Sequence, residues 1–211
     1  MIRLLIVLLF IGSIFGCAVQ PPVKSSFEGK IIYRISSDYI DKTSDDSTAF
    51  QIVYAKDSML RVENFTPIGK QIYIKHIPKN RAYILMDVFT EKLAIQSIPE
   101  PPPNAGKYVF KPKRKKKKIA GKKAHQIQVE IPDIDSIFTM YYYPDIPAKY
   151  SEAIPGIEGL PAKYTIFSNG IYFDYEIISI ENTPVDRDLF GIPSDHRIIS
   201  MEEFIELINE E

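Results

Sequence analysis

The sequence predicts a mainly β protein: one curved antiparallel sheet with a minor helical part and a short C-terminal helix. Three observations carry that expectation. Apolar residues recur at every second position through most of the 211 residues, the mark of half-buried strands. The runs are separated by short polar or proline-containing turns, so successive strands pair as an antiparallel meander, because parallel neighbours need crossovers of a dozen residues or more. The chain is rich in Ile and carries 13 Tyr and 12 Phe, with no Trp, a composition that favours strands.

Taken in order, 27–36 reads as a first strand and the acidic, Ser/Thr-rich 38–47 as a loop. Segments 50–55 and 59–64 flank Lys56-Asp57-Ser58, a hairpin turn, and 71–77 and 81–86 flank Pro78-Lys79-Asn80. Segment 92–98 follows a turn at Phe89-Thr90-Glu91. The cleanest alternation is at 124–131, where Ile127, Val129 and Ile131 point one way and Gln126, Gln128 and Glu130 the other. Segments 138–143 and 171–180 are two further long strands, and 145–154 has room for a helical turn or two between Pro147 and Pro155. In the tail, Ser200 as N-cap and Glu203 three residues on form a capping box, with Phe204, Leu207 and Ile208 lining one face. An apolar content of 45% suffices for a core, and no linker divides residues 27–211, which therefore read as a single β-rich domain.

The first residues read as an address. Arg3 is followed by an apolar run from Leu4 to Phe15 broken only by Gly12 and Ser13, the layout of a secretory signal peptide over 1–16. From Leu4 to Val19 there are 16 residues, short of the roughly 17–25 that a spanning helix needs. Cys17, the only cysteine, sits where the apolar run ends, and Ile14-Phe15-Gly16-Cys17 resembles a bacterial lipobox, with Ile14 for the usual Leu and Phe15 for a usual small residue. Lipidation at Cys17, with 17–26 as a tether begun by Pro21-Pro22, is the expectation; an uncleaved anchor is the other reading. The membrane is then a partner through acylated Cys17, and the location is the cell envelope. No acidic cluster follows the cysteine, which favours the outer membrane facing the periplasm.

Ten Lys and Arg fall between Pro101 and Val129 with no Asp or Glu, while the rest of the chain carries 16 basic against 27 acidic residues. Such a stripe is the footprint of a phosphate-binding surface. An exported protein meets no genomic DNA, so nucleic acid is not the expected partner. Lys113, Arg114, Lys115, Lys116, Lys117 and Lys118 cannot all face a core and belong on a hairpin tip or sheet edge, where lysines also discourage edge pairing. Contact with anionic lipid headgroups or lipopolysaccharide phosphate is the functional alternative.

Several strings resemble a known family. Phe27-Glu28-Gly29-Lys30-Ile31-Ile32-Tyr33 opens the domain; Ile119-Ala120-Gly121-Lys122-Lys123-Ala124 follows the Lys-rich stretch; Gly159-Leu160-Pro161 precedes a strand; Leu189-Phe190-Gly191-Ile192-Pro193 closes the series. In that order they resemble the uncharacterised envelope domains of the GLPGLI type, which look related to the carrier fold of the lipoprotein chaperone LolA. The resemblance covers about residues 27–199 and implies an open half-barrel around a lipid-sized groove. Ala124 stands where the family has a cysteine, and Ala162-Lys163-Tyr164 where its name motif continues, so no thiol chemistry carries over.

The inventory argues against an enzyme. His76, His125 and His196 are far apart and without metal-ligand spacing, and no GxSxG elbow supplies a nucleophile. Asp45-Asp46, Asp133/Asp135 and Asp186/Asp188 lack the calcium-loop pattern and read as turn residues. No metal or other cofactor is expected. The aromatic content points to binding: Phe138, Met140 and Tyr142 share one strand face, and Ile171, Phe173, Tyr175 and Ile177 share another. In a closed core this is ordinary packing. In a half-barrel it forms an apolar groove for an acyl chain or another apolar ligand. The alternative function is an accessory or scaffold lipoprotein that binds another envelope protein over a filled interior.

Overall fold

The computed structural model describes residues 26–37, 49–66, 69–88, 90–98, 108–131, 136–151, 153–168 and 170–209. Cys17, the tether and the acidic segment 38–47 lie outside these, as do Asp133 and Asp135. One sheet holds all the strands of the described residues: β1 (Gly29–Ser37), β2 (Phe50–Lys56), β3 (Met59–Thr66), β4 (Gly69–His76), β5 (Arg81–Val88), β6 (Glu91–Ser97), β7 (Val109–Ile119), β8 (Lys122–Ile131), β9 (Ser136–Tyr143), β10 (Leu160–Ser168), β11 (Ile171–Glu181) and β12 (Arg197–Ile199). Among the described residues one α-helix, α1 (Met201–Asn209), follows. The order is β12-β6-β5-β4-β3-β2-β1-β11-β10-β9-β8-β7, with free edges at β12 and β7, so the sheet is not closed into a barrel.

The meander follows from the short connections. Asp57 and Asn80 adopt positive φ (52° and 45°) in the turns that join β2 to β3 and β4 to β5, a conformation Asn and Asp tolerate better than other side chains. Every pairing is antiparallel except β12 with β6, which is parallel. That exception has a cause: residues 182–196 cross a sheet face before β12, the long connection a parallel pair requires.

β7 and β10 depart from alternation. β7 carries the basic run, exposed from Lys111 to Lys118 on both faces, and stays extended because β8 pairs with it along one side. The run therefore occupies a sheet edge, and Pro112 fits there because an edge strand can leave one side unbonded. β10 contains Pro161 beside a register shift against β9, the position where a strand tolerates proline.

Register assigns the faces. Tyr33, Gln51, Val53, Val62, Asn64, Gln71 and Tyr73 share one, and Arg61, Glu63, Ile72 and Ile74 the other. The principal core lies on the first, where Ile31, Val53, Leu60, Ile127, Met140 and Ile177 pack under the β9–β10 connection through Ile146, Tyr150, Ile154 and Ile157. On the opposite face Val185 and Phe190 cover Ile74, Leu85 and Ala94. α1 docks Met201, Phe204 and Leu207 on Leu93, Ile95 and Ile84. Its capping box forms as expected: Glu203 N donates to Ser200 Oγ (3.1 Å), and Ser200 N donates to Glu203 Oε2 (2.7 Å). Ile208 is instead exposed, and Met201 takes its place on the packed face.

Candidate functional site

Seven strands that are neighbours in the sheet, β5-β4-β3-β2-β1-β11-β10, contribute to one open cavity of about 360 Å³, so the sheet must curve around it. Tyr33 comes from β1, Val53 from β2, Leu60 and Val62 from β3, Tyr73 from β4, Ile84 from β5, and Tyr164, Ile166 and Tyr175 from β10 and β11. The β9–β10 connection roofs one side with Tyr150, Ser151 and Ala153. Ile84 also packs with the α1 cluster, so the helix and the roof cover the inner face from two sides and leave the cavity between them.

The roof is latched to the β2–β3 turn. Tyr150 Oη donates to the carbonyl of Asp57 (2.8 Å), Lys149 Nζ donates to the same oxygen (2.7 Å), and the Phe27 ring meets Tyr150 edge-on at 5.9 Å. The wall beside it is aromatic. Tyr164 and Tyr175 stack at 4.9 Å with planes 4° apart, and Tyr33 meets Tyr164 edge-on at 5.9 Å. Tyr33 Oη donates to the Pro161 carbonyl (2.7 Å), which ties β1 to β10 across the intervening β11.

Besides Ser151 in the roof, a polar row interrupts the apolar lining. Gln51, Asn64 and Gln71 stand directly opposite one another on β2, β3 and β4 and form a row of three carboxamides in the cavity wall. Gln51 Nε2 donates to Asn64 Oδ1 (2.8 Å). An amide has two donor hydrogens and a two-lone-pair acceptor, so this bond leaves donors and acceptors in the row for a ligand.

None of the described lining side chains is a carboxylate, an imidazole, a thiol or an amine. The tyrosines are poor proton carriers here. Burial pushes the Tyr33, Tyr73 and Tyr175 hydroxyls up from the usual phenol range, and burial together with Tyr33 and Tyr175 holds Tyr164 well above it. The described lining can enclose, stack and hydrogen-bond a ligand.

By register, all seven aromatic and apolar positions singled out from the sequence sit on this inner face. Tyr175 lines the cavity. Phe173 stands opposite the lining residue Ile166, and Ile171 lies beyond it at the hairpin end. Met140, Tyr142 and Ile177 are packed in the core beneath the roof, and Phe138 packs against that core. The lining contributed by β1 to β5 was not singled out. Its signal was three amides at inward positions of otherwise apolar strands, Gln51 before Val53, Asn64 after Val62, and Gln71 before Tyr73.

The histidines remain apart. His76 Nε2 lies 3.2 Å from the Phe190 carbonyl, His125 meets Tyr142 edge-on, and His196 pairs with Asp195 at 2.8 Å. No group of three metal-binding side chains occurs among the described residues. No helix among them is long and apolar enough to cross a membrane.

The chain matches no protein-family model, and no curated protein matches it in sequence. Solved structures share the fold. PNGF-II in space group C2 is 16% identical with a TM-score of 0.54, over 88% of this chain and 33% of that one. PNGF-II in space group P21 is 14% identical with a TM-score of 0.53, over 88% and 34%. This chain thus spans about a third of the length of PNGF-II, and at such identity the likeness extends to the fold alone.

Proposed function

We propose that this protein is a non-enzymatic binding module, anchored to the bacterial envelope through acylated Cys17, that holds an acyl chain or another apolar ligand in the cavity of its curved sheet. The observation that carries the reading is the cavity itself. At about 360 Å³ it falls within the ordinary range of small-ligand sites, roughly 300–1,000 Å³, and its described lining is aromatic, aliphatic or amide with one hydroxyl, Ser151, and without a charge. An apolar body would lie against Tyr73, Ile84, Leu60 and Val62, and a neutral polar end would meet the Gln51-Asn64-Gln71 row. The anchoring half rests on the sequence around Cys17, and the grouping with GLPGLI-type, LolA-like domains rests on the short strings that suggested it. The outer membrane, facing the periplasm, is the location this reading favours.

Two measurements test it. Mass spectrometry of a solvent extract of the purified protein should show an apolar molecule at close to one equivalent, and Val62→Phe, which puts a ring into the cavity, should reduce it severalfold in protein that remains folded. A clean extract, with no displaceable apolar probe bound, would favour the accessory lipoprotein that docks another envelope protein over an unliganded interior. Cys17→Ser should abolish incorporation of radiolabelled fatty acid, and labelling that persisted would sink the anchor.

A further inference from the structure

The basic edge strand and the point where the tether joins the domain lie at the same end of the sheet. β1 starts at Gly29 opposite Ala55, and Lys30 faces Glu181 at the end of β11. Following the register outward, β10 starts at Leu160 opposite Tyr143, the end of β9. Tyr142 faces His125 near the start of β8, and Ile119 faces Lys122 across the Ala120-Gly121 turn. Phe27 and the β7–β8 turn therefore share one end. The opposite end holds Ser37, Ser168, Ile171, Ser136 and Val109.

The lysines gather towards the shared end and are under-neutralised. Lys111 pairs with Glu130 and Lys122 with Asp145, while Lys117 reaches Glu176 only at 3.9 Å. Among the described residues, no carboxylate pairs with Lys113, Arg114, Lys115, Lys116, Lys118 or Lys123. Lys116, Lys117, Lys118 and Lys123 wall a hollow of about 210 Å³ beside Gly121, large enough for a phosphate group. Lys117 meets Glu176 although β8, β9 and β10 intervene, so the sheet coils and carries β7 back towards the middle strands. Even flat, five strand spacings would put β7 about 24 Å from β1. The ten residues 17–26 span at most about 33 Å, so the turn is within reach of the surface that holds the anchor.

We infer that the β7–β8 hairpin end, through Lys115, Lys116, Lys117, Lys118 and Lys123, docks on anionic lipid headgroups of the membrane that holds Cys17, so that the domain stands with its Phe27 end on the bilayer and its Ser168 end away from it. This rests on the anchoring reading of Cys17. It adds an orientation, set by phosphate-bearing lipid, that the anchor alone does not impose.

The test uses the full acylated chain. With Cys17 blocked by acylation, Lys118→Cys or Ser168→Cys provides the only thiol for a fluorophore. Each labelled protein is reconstituted in phosphatidylethanolamine vesicles containing phosphatidylglycerol, or in phosphatidylcholine vesicles, with a quencher on the lipid headgroups. The expected result is severalfold stronger quenching at position 118 in the anionic vesicles, lost in high salt or with Lys115→Gln, Lys116→Gln and Lys117→Gln together. Position 168 should stay unquenched in both. Equal quenching of 118 in the two lipids, or stronger quenching at 168, would overturn the orientation. If the chain does not float with phosphatidylcholine vesicles the anchor fails by itself. Salt-sensitive cosedimentation with phosphatidylglycerol vesicles then decides the surface, and its absence rejects it.

Discussion

Gly159→Ala is expected to lower stability by about 3 kcal/mol, a cost in the range of forced overpacking. A Cβ built at Gly159 falls 2.1 Å from the Tyr143 carbonyl oxygen and 2.8 Å from its carbon, both backbone atoms of the adjacent strand. Neither can swing aside as a side-chain tip would. The site is buried, and Leu160 N donates to Ile146 O (2.9 Å), so relief must come from parting the β9–β10 pairing and lifting the roof of the cavity. Urea unfolding reads the difference directly, and for a domain of this size the thermal midpoint should fall by about 9 °C. Gly121→Ala and Gly170→Ala are the controls. Both glycines have positive φ, 79° and 80°, but open space around the added carbon, so only conformational strain of about 1 kcal/mol is expected. A Gly159→Ala variant no less stable than these controls would show that β9 and β10 separate freely.

The same geometry gives a physical reason for two strings in the sequence. Gly29, within Phe27-Glu28-Gly29, has φ 157° and would place a Cβ 2.0 Å from the Glu181 carbonyl oxygen. Gly159, within Gly159-Leu160-Pro161, meets Tyr143 just as closely. Both are points where two backbones approach too near for any side chain, and both flank the strands that carry Tyr33 and Tyr164 to the cavity.

The fold was legible wherever one face of a strand was buried and the other wet. β8 is the clearest example, with Ile127, Val129 and Ile131 all buried and Gln126, Gln128 and Glu130 partly exposed. It was illegible where that asymmetry fails. β7 is polar on both faces because it is an edge, and its strand character comes from pairing with β8. β12 is three residues long and parallel, set by where the crossing segment 182–196 delivers it. The cavity was half legible for a related reason. Aromatic strands announce an apolar face, but the division of that face into packed core under the roof and open lining beyond it depends on where the β9–β10 connection lands. Alternation along single strands does not encode that.

Glu63→Gln is expected to cost about 3 kcal/mol at pH 7, because it leaves a nearly buried guanidinium without its counter-charge. Glu63 Oε1 accepts from Arg61 Nε at 2.7 Å, with side chains only 8% and 11% exposed, and Lys70 Nζ approaches the other oxygen at 2.9 Å. Arg61 also donates Nη1 to the Leu189 carbonyl (2.9 Å), so the pair fastens the crossing segment to the outer face of β3. Burial alone would raise the Glu63 carboxyl, but hydrogen bonds and charge from Lys70 and Arg61 outweigh it and hold the group below the usual carboxylate range. A group lowered in this way contributes stability in full above its unfolded value, about 4.3, and loses it as pH falls through the lower folded value. The gap between wild type and Glu63→Gln in urea unfolding should therefore be widest near neutrality and should narrow below about pH 4. The double variant Arg61→Met with Glu63→Leu removes both charges and should return to within about 1 kcal/mol of wild type, since replacing a buried pair by apolar side chains is often neutral. A single variant as stable as wild type, or a gap that widens on acidification, would show that water rather than Glu63 satisfies Arg61.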